Sequence, residues 1–136
     1  TLILLCSWAD QDGTGLGFDS SAGFTLPNGA TRSPDASWVT LERWNALTEE
    51  QKASFAPICP DFVIELRSSS GALTSLQDKM QEYIANGVLL GWLIDHKNRM
   101  VHRYRPNREA EILDDPETVS GNPELPGFVM RTAKIW

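Results

Sequence analysis

The chain has 136 residues, of which 41% are hydrophobic and 22% charged, with a formal net charge of −6. That size fits a single domain over residues 1–136 around one core, and the composition is that of an ordinary soluble globular protein. The acidic balance argues against broad nonspecific binding to nucleic acid, which relies on basic surface, and leaves room for a local basic groove or a metal site built from carboxylates.

No apolar run approaches the roughly 18 residues needed to span a bilayer, so no membrane partner is expected. Cys6 and Cys59 are too few for a disulfide framework and favour a reducing, cytoplasmic setting. His96 and His102 have no cysteine partners at zinc-ligand spacing, which argues against a structural zinc site. The chain opens at Thr1 inside an apolar stretch with no initiator Met, and the expectation is that an N-terminal segment is missing upstream. "TLILLC" is too short for a secretory apolar region and lacks a basic flank, so no signal peptide is expected.

In chain order, "TLILLCSWAD" reads as the end of a buried helix, closed by the polar "DQDGTG". The glycines of "GTGLGF" lack the Lys and Ser/Thr of a phosphate-binding loop and read as a plain turn. Short strands follow through "LGFDSSAGFTLPNGATRSPDASWVTL", with Pro27-Asn28-Gly29 as the turn between them. Thr48 and Gln51 match a capping box at the start of a short helix, which Pro57 and Pro60 end. "DFVIELRS" is a compact strand. Leu73, Leu76, Met80, Tyr83 and Ile84 then recur at steps of three and four, one face of an amphipathic helix. Thr74 and Gln77 fit a second capping box, and Asn86-Gly87 is a natural stop. "VLLGWLID" and "MVHRYRP" are two strands joined by the turn "HKNR", and the tail holds one more short extended piece. A strand–helix–strand step through residues 61–95, with near-continuous apolar strands, predicts an α/β fold with a mixed sheet covered on both faces.

Glu65 stands out against this frame. In a strand of period two, Phe62, Ile64 and Leu66 share one face, while Asp61, Val63, Glu65 and Arg67 share the other. A carboxylate at that depth is costly unless it is paired or holds a cation, so either an ion pair with Arg67 or a neighbouring lysine, or a metal, is expected. Asp61 and Glu65 lie about 13 Å apart along a straight strand, too far to share an ion whose oxygen ligands stand about 2.0–2.6 Å away. A partner for Glu65 must come from another strand, and Asp35 in "SPDASWV" is the candidate; Asp61 reads as strand-start or supporting chemistry. Tyr83 reads as core, and Arg103 and Arg105 as a solvated hairpin edge or a phosphate contact.

The stretches "GFTLPNGATRSPDASWV", "PDFVIELRSSS", "LQDKMQEYIANGVLLGWLID", "YRP" and "LPGFV", running from Gly17 to the end, resemble the Uma-two family, described as putative restriction endonucleases. The resemblance implies the PD-(D/E)XK nuclease superfamily and a restriction-endonuclease-like mixed β-sheet flanked by helices. It also implies a site with Asp and Glu on adjacent strands and a Lys two residues after the Glu. Carried over, Asp35 and Glu65 are the acidic pair and hold the metal, Mg²⁺ or Mn²⁺, with DNA as substrate. The lysine position falls on Arg67, a poor general base, so the resemblance moves the lysine to Lys79 of the following helix, at the border of its apolar face. Gln77 joins Asp61 and Arg67 as supporting residues. Two departures stand out: no acid near Gly71 in "RSSSGALTS", and no N-terminal hairpin with its own acidic residue. The function implied is a divalent-metal-dependent DNA endonuclease, dimeric where both strands are cut. The alternative is a nuclease fold that no longer cleaves and serves as an interaction or nucleic-acid-binding module.

Overall fold

A computed structural model describes residues 2–68 and 71–134. Thr1 of "TLILLCSWAD", Ser69 and Ser70 in "RSSSGALTS", and Ile135 and Trp136 of the tail lie outside the described residues. In chain order the elements are α1 (Leu2–Asp12), β1 (Gly15–Asp19), β2 (Phe24–Thr25), β3 (Thr31–Arg32), β4 (Ala36–Thr40), α2 (Leu41–Asn45) and α3 (Glu49–Lys52). There follow β5 (Phe62–Leu66), α4 (Leu73–Ala85), β6 (Leu90–Asp95), β7 (Met100–Tyr104), β8 (Glu111–Asp114), β9 (Thr118–Ser120), β10 (Val129–Arg131) and a 3₁₀ turn, Thr132–Lys134.

The fold is mixed α/β. Six strands form one sheet in the order β1-β4-β5-β6-β7-β8, and helices flank it. The β5–α4–β6 unit gives the one parallel pair of that sheet, Phe62↔Leu90 through Leu66↔Ile94, and the other neighbours are antiparallel. A parallel pair needs a long crossover, and α4 supplies it. Two-stranded ribbons β2–β3 and β9–β10 complete the strands among the described residues.

Strand alternation divides the interior in two. Phe62, Ile64, Trp92 and Ile94 point to the face covered by Leu5 and Ala9 of α1 and by Phe128 and Met130. Val63 and Leu93 point to the other, where Met80 and Tyr83 of α4 pack with Phe24 and Val39. On the first face Trp92 stacks on Phe128 at 5.5 Å between ring centroids, and Phe62 meets Trp92 edge-on at 5.0 Å. Each such fully buried aromatic is worth about 1.5–3 kcal/mol of apolar transfer. On the second face α4 comes close to the sheet because residue 91 is glycine: a Cβ there would stand 2.6 Å from the Met80 methyl.

Several expectations are corrected. The opening helix is not buried all round: Leu5 and Ala9, one helical turn apart, are its buried residues, and Ile3 is 79% exposed. Thr48 and Gln51 form the predicted capping box, but Thr74 and Gln77 do not. Helix α4 starts at Leu73, with Ala72, two residues before Thr74, as its cap and no side-chain cap bond. Packing of Leu73 and Leu76 on the core sets that start and leaves Thr74 inside the first turn, where its backbone is helical and cannot cap. Strands β8 and β9 were not expected, because "EILDDPETVS" is short, charged and broken by proline; β8 gains its place by pairing with β7 at the sheet edge.

Candidate active site

Asp35 immediately precedes β4, and Glu65 is the fourth residue of β5. The β4–β5 register, Trp38↔Phe62 to Ala36↔Ile64, continues by one step to set Asp35 opposite Glu65. Directly opposed residues on antiparallel strands have Cα atoms about 4.5–5.5 Å apart. The Asp35 carboxylate is pinned there, since its Oδ2 accepts the Leu66 backbone N–H at 2.7 Å.

Glu65 is buried, with 3% of its surface exposed. Helix α4 brings two donors to it from positions one turn apart. Lys79 Nζ lies 3.0 Å from Oε2, and the Tyr83 hydroxyl donates to Oε1 at 3.1 Å. Burial pushes the Glu65 carboxyl above its usual range; Lys79 opposes that shift, and the Asp35 charge adds to it. Burial, then the Glu65 charge, raise the Tyr83 phenol, so it stays a neutral donor. Lys79 also lines an open groove of about 610 Å³ with Arg32, Ser33, Ser75, Asp78 and Glu82, which gives the site access from solvent.

Asp35, Glu65 and Lys79 are thus brought together, and the three supporting residues are not. Asp61 sits at the opposite end of β5, where it accepts the Thr40 N–H at 2.9 Å and pairs with Arg43 at 2.8 Å. It braces the entry to the strand. Arg67 turns away from Glu65 because a stronger partner lies at the end of β6. Its Nη1 is 3.0 Å from Asp95 Oδ2, and its Nε donates to the Gly71 carbonyl at 3.2 Å. Gln77 makes no side-chain hydrogen bond among the described residues, and two helical positions, about 200° of rotation, put it on the flank of α4 away from Lys79. Arg103 and Arg105 are neither a solvated edge nor free for phosphate. Arg103 pairs with Glu111 at 2.9 Å, and Arg105 with Glu111 at 3.0 Å and Glu124 at 2.9 Å, at the far end of the sheet.

Two residues escaped the sequence reading. Asp95 is fully buried and receives Arg67 and the Asn98 side chain. Burial works to raise its pKa, but the bonds from Asn98 and Arg67 outweigh burial and hold the carboxyl below the usual carboxylate range. An acid closing the apolar run "VLLGWLID" was the available signal. Tyr83 carried none, since an aromatic at core spacing looks the same whether or not its hydroxyl is bonded.

Among the described residues no group of three or more His, Cys, Asp or Glu side chains converges on a point that could hold a metal. The donor set of Asp35 and Glu65 still fits a hard divalent cation. Magnesium is typically held by one or two carboxylates and completes its shell with water.

A family profile described as "Putative restriction endonuclease", Uma2, matches residues 1–133. The chain belongs to the Uma2 family. A crystal structure of a putative nuclease belonging to DUF820, from Anabaena variabilis ATCC 29413, superposes on this Uma2 chain with a TM-score of 0.82. The two are 23% identical, over 98% of this chain and 74% of that one, which establishes a common fold. No curated protein matches the chain. No helix among the described residues is long and apolar enough to cross a membrane.

Proposed function

We propose that this Uma2 chain is a divalent-metal-dependent nuclease that hydrolyses phosphodiester bonds of DNA. The observation that carries the reading is the opposition of Asp35 and Glu65 on adjacent strands, with Lys79 closing on Glu65 from α4. Membership of a family described as "Putative restriction endonuclease" supports it.

In this reading Asp35 and Glu65 would hold Mg²⁺ or Mn²⁺, helped by the Leu66 main-chain carbonyl. The bound ion supplies Lewis-acid polarisation of the phosphate and a lowered pKa for the attacking water. The chain's own residues do the rest. Leu66 N–H fixes Asp35 at the strand end. Burial keeps bulk water from Glu65 and strengthens each electrostatic contact around it. Lys79, 30% exposed at its side chain, reaches from Glu65 to the groove and stabilises charge that develops on the phosphate. Arg67 acts on the site through Asp95 and Gly71, by holding the chain as it leaves β5. One such site per chain cuts one strand, so double-strand cleavage calls for a second copy.

The second reading, a nuclease fold that binds without cleaving, draws on a specific observation. Lys79 already pairs with Glu65 and offsets part of its buried charge without a metal. Plasmid nicking in Mn²⁺ separates the two. Glu65→Ala abolishes metal-dependent nicking, and Lys79→Ala lowers it about 10²- to 10³-fold, the usual loss of one electrostatic stabiliser. Nicking that survives Glu65→Ala removes Glu65 from the site, and a wild-type chain that never nicks leaves the binding module.

A further inference from the structure

Tyr83 is fully buried, yet its phenol oxygen is not idle. It donates at 3.1 Å to Glu65 Oε1, while Lys79, one turn earlier on the same helix, holds Oε2 at 3.0 Å. Helix α4 therefore addresses the two oxygens of one carboxylate separately. The base of Tyr83 is fixed as well, because its carbonyl closes the end of α4 by accepting the N–H groups of Asn86 and Val88 at 3.1 and 3.0 Å. A ring held from both ends gives the hydroxyl little freedom to leave Oε1. Lys79 has that freedom: its side chain is 30% exposed and borders the open groove.

The two donors differ in what happens when a cation arrives. In the reading proposed, a divalent ion would compete with the ammonium for Oε2, since both are positive charges. The phenol would remain on Oε1 because it is neutral and buried. Glu65 would then have one oxygen to offer a metal.

Resting on the reading of Asp35 and Glu65 as metal ligands, we infer that Tyr83 is a positioning residue that restricts Glu65 to one-oxygen coordination and so selects small octahedral cations over calcium. The chemistry follows from ion size. Mg²⁺ demands near-octahedral geometry at about 2.0–2.1 Å and keeps several waters, whereas Ca²⁺ takes six to eight oxygens at about 2.3–2.6 Å and readily accepts both oxygens of a carboxylate. A Glu65 with Oε1 spent on Tyr83 favours the first and withholds a ligand from the second.

Tyr83→Phe removes the one oxygen and keeps the ring that packs against the sheet. Titration calorimetry of the whole chain with Mn²⁺ and with Ca²⁺, for wild type, Tyr83→Phe and Glu65→Gln, tests the inference. Loss of a residue that orients a metal ligand typically costs 10- to 100-fold in affinity. Tyr83→Phe is therefore expected to weaken Mn²⁺ by about 10- to 100-fold while Ca²⁺ affinity holds or rises, so the Ca²⁺/Mn²⁺ ratio increases. An equal fall for both ions marks a purely structural role and overturns the inference, as does no change for either. If Glu65→Gln leaves Mn²⁺ binding untouched, the metal assignment itself fails and takes the inference with it. A readout that needs no variant is the infrared splitting of the glutamate carboxylate stretches, with glutamate ¹³C-labelled, on Mn²⁺ loading. One-oxygen coordination gives a splitting wider than that of the free ion, and a narrower, two-oxygen splitting contradicts the assignment to Tyr83.

Discussion

A single buried carboxylate, Glu65, lies at the centre of the candidate site, and its protonation is linked to stability. Glu65 has a folded pKa raised above its unfolded value, with burial the largest cause. Between those two values the folded chain binds the extra proton, so stability falls as pH rises through that window. Above it, the ionised Glu65 is a cost that Lys79 offsets only in part. Glu65→Gln keeps the shape, and its amide can accept from Lys79 and donate to the Tyr83 hydroxyl oxygen, so at pH 7–8 it is expected to melt at or above the wild-type temperature. The difference shrinks as pH is lowered through the window, and a clearly lower melting temperature for the variant at neutral pH contradicts the electrostatics described. Asp95 behaves in the opposite sense. Its pKa is depressed by hydrogen bonds that overcome burial, so its contribution is present above the unfolded pKa and is lost as pH falls through the folded one. Removing one partner of a buried pair costs about 3–5 kcal/mol. Asp95→Asn keeps an acceptor for Arg67, so it should cost up to that much in neutral denaturant melts and progressively less in acid.

The β5–α4–β6 unit carries every group of the candidate site except Asp35, and it was the most legible part of the sequence. The compact apolar run "FVIEL" and the three-and-four spacing of Leu73 to Ile84 marked the strand and the helix, and a carboxylate inside an apolar strand pointed to Glu65. What periodicity could not show was which side chain turns to which neighbour. Arg67 shares the parity of Glu65 but lies past the end of β5, where the partner that captures it, Asp95, comes from the next strand. Register between strands decides that, and register is not written in either strand alone. Thr74 failed as a cap for a similar reason, since packing of Leu73 moved the cap back two residues to Ala72. The close approach of α4 to β6 makes its own prediction. Gly91→Val would press on the Met80 methyl and on Val63, whose Cγ2 stands 3.4 Å from an added Cβ. Overpacking of this kind costs about 1–3 kcal/mol, readable as a lower denaturant midpoint.

At the scale of the whole molecule, an acidic net charge of −6 is compatible with the nuclease reading proposed if part of that charge is used to hold a cation. Two acidic side chains, Asp35 and Glu65, are spent on opposing each other at one end of the sheet, where their repulsion is relieved by Lys79 in this state and by a divalent cation in the reading proposed. Shared work of this kind makes the two residues non-additive. A double-mutant cycle on Mn²⁺ affinity, with wild type, Asp35→Asn, Glu65→Gln and the double variant compared by titration calorimetry, measures it directly. The account predicts that either single change removes most of the binding and that the double change adds little more. Losses that simply sum, or a site that binds Mn²⁺ unchanged without either carboxylate, would contradict it.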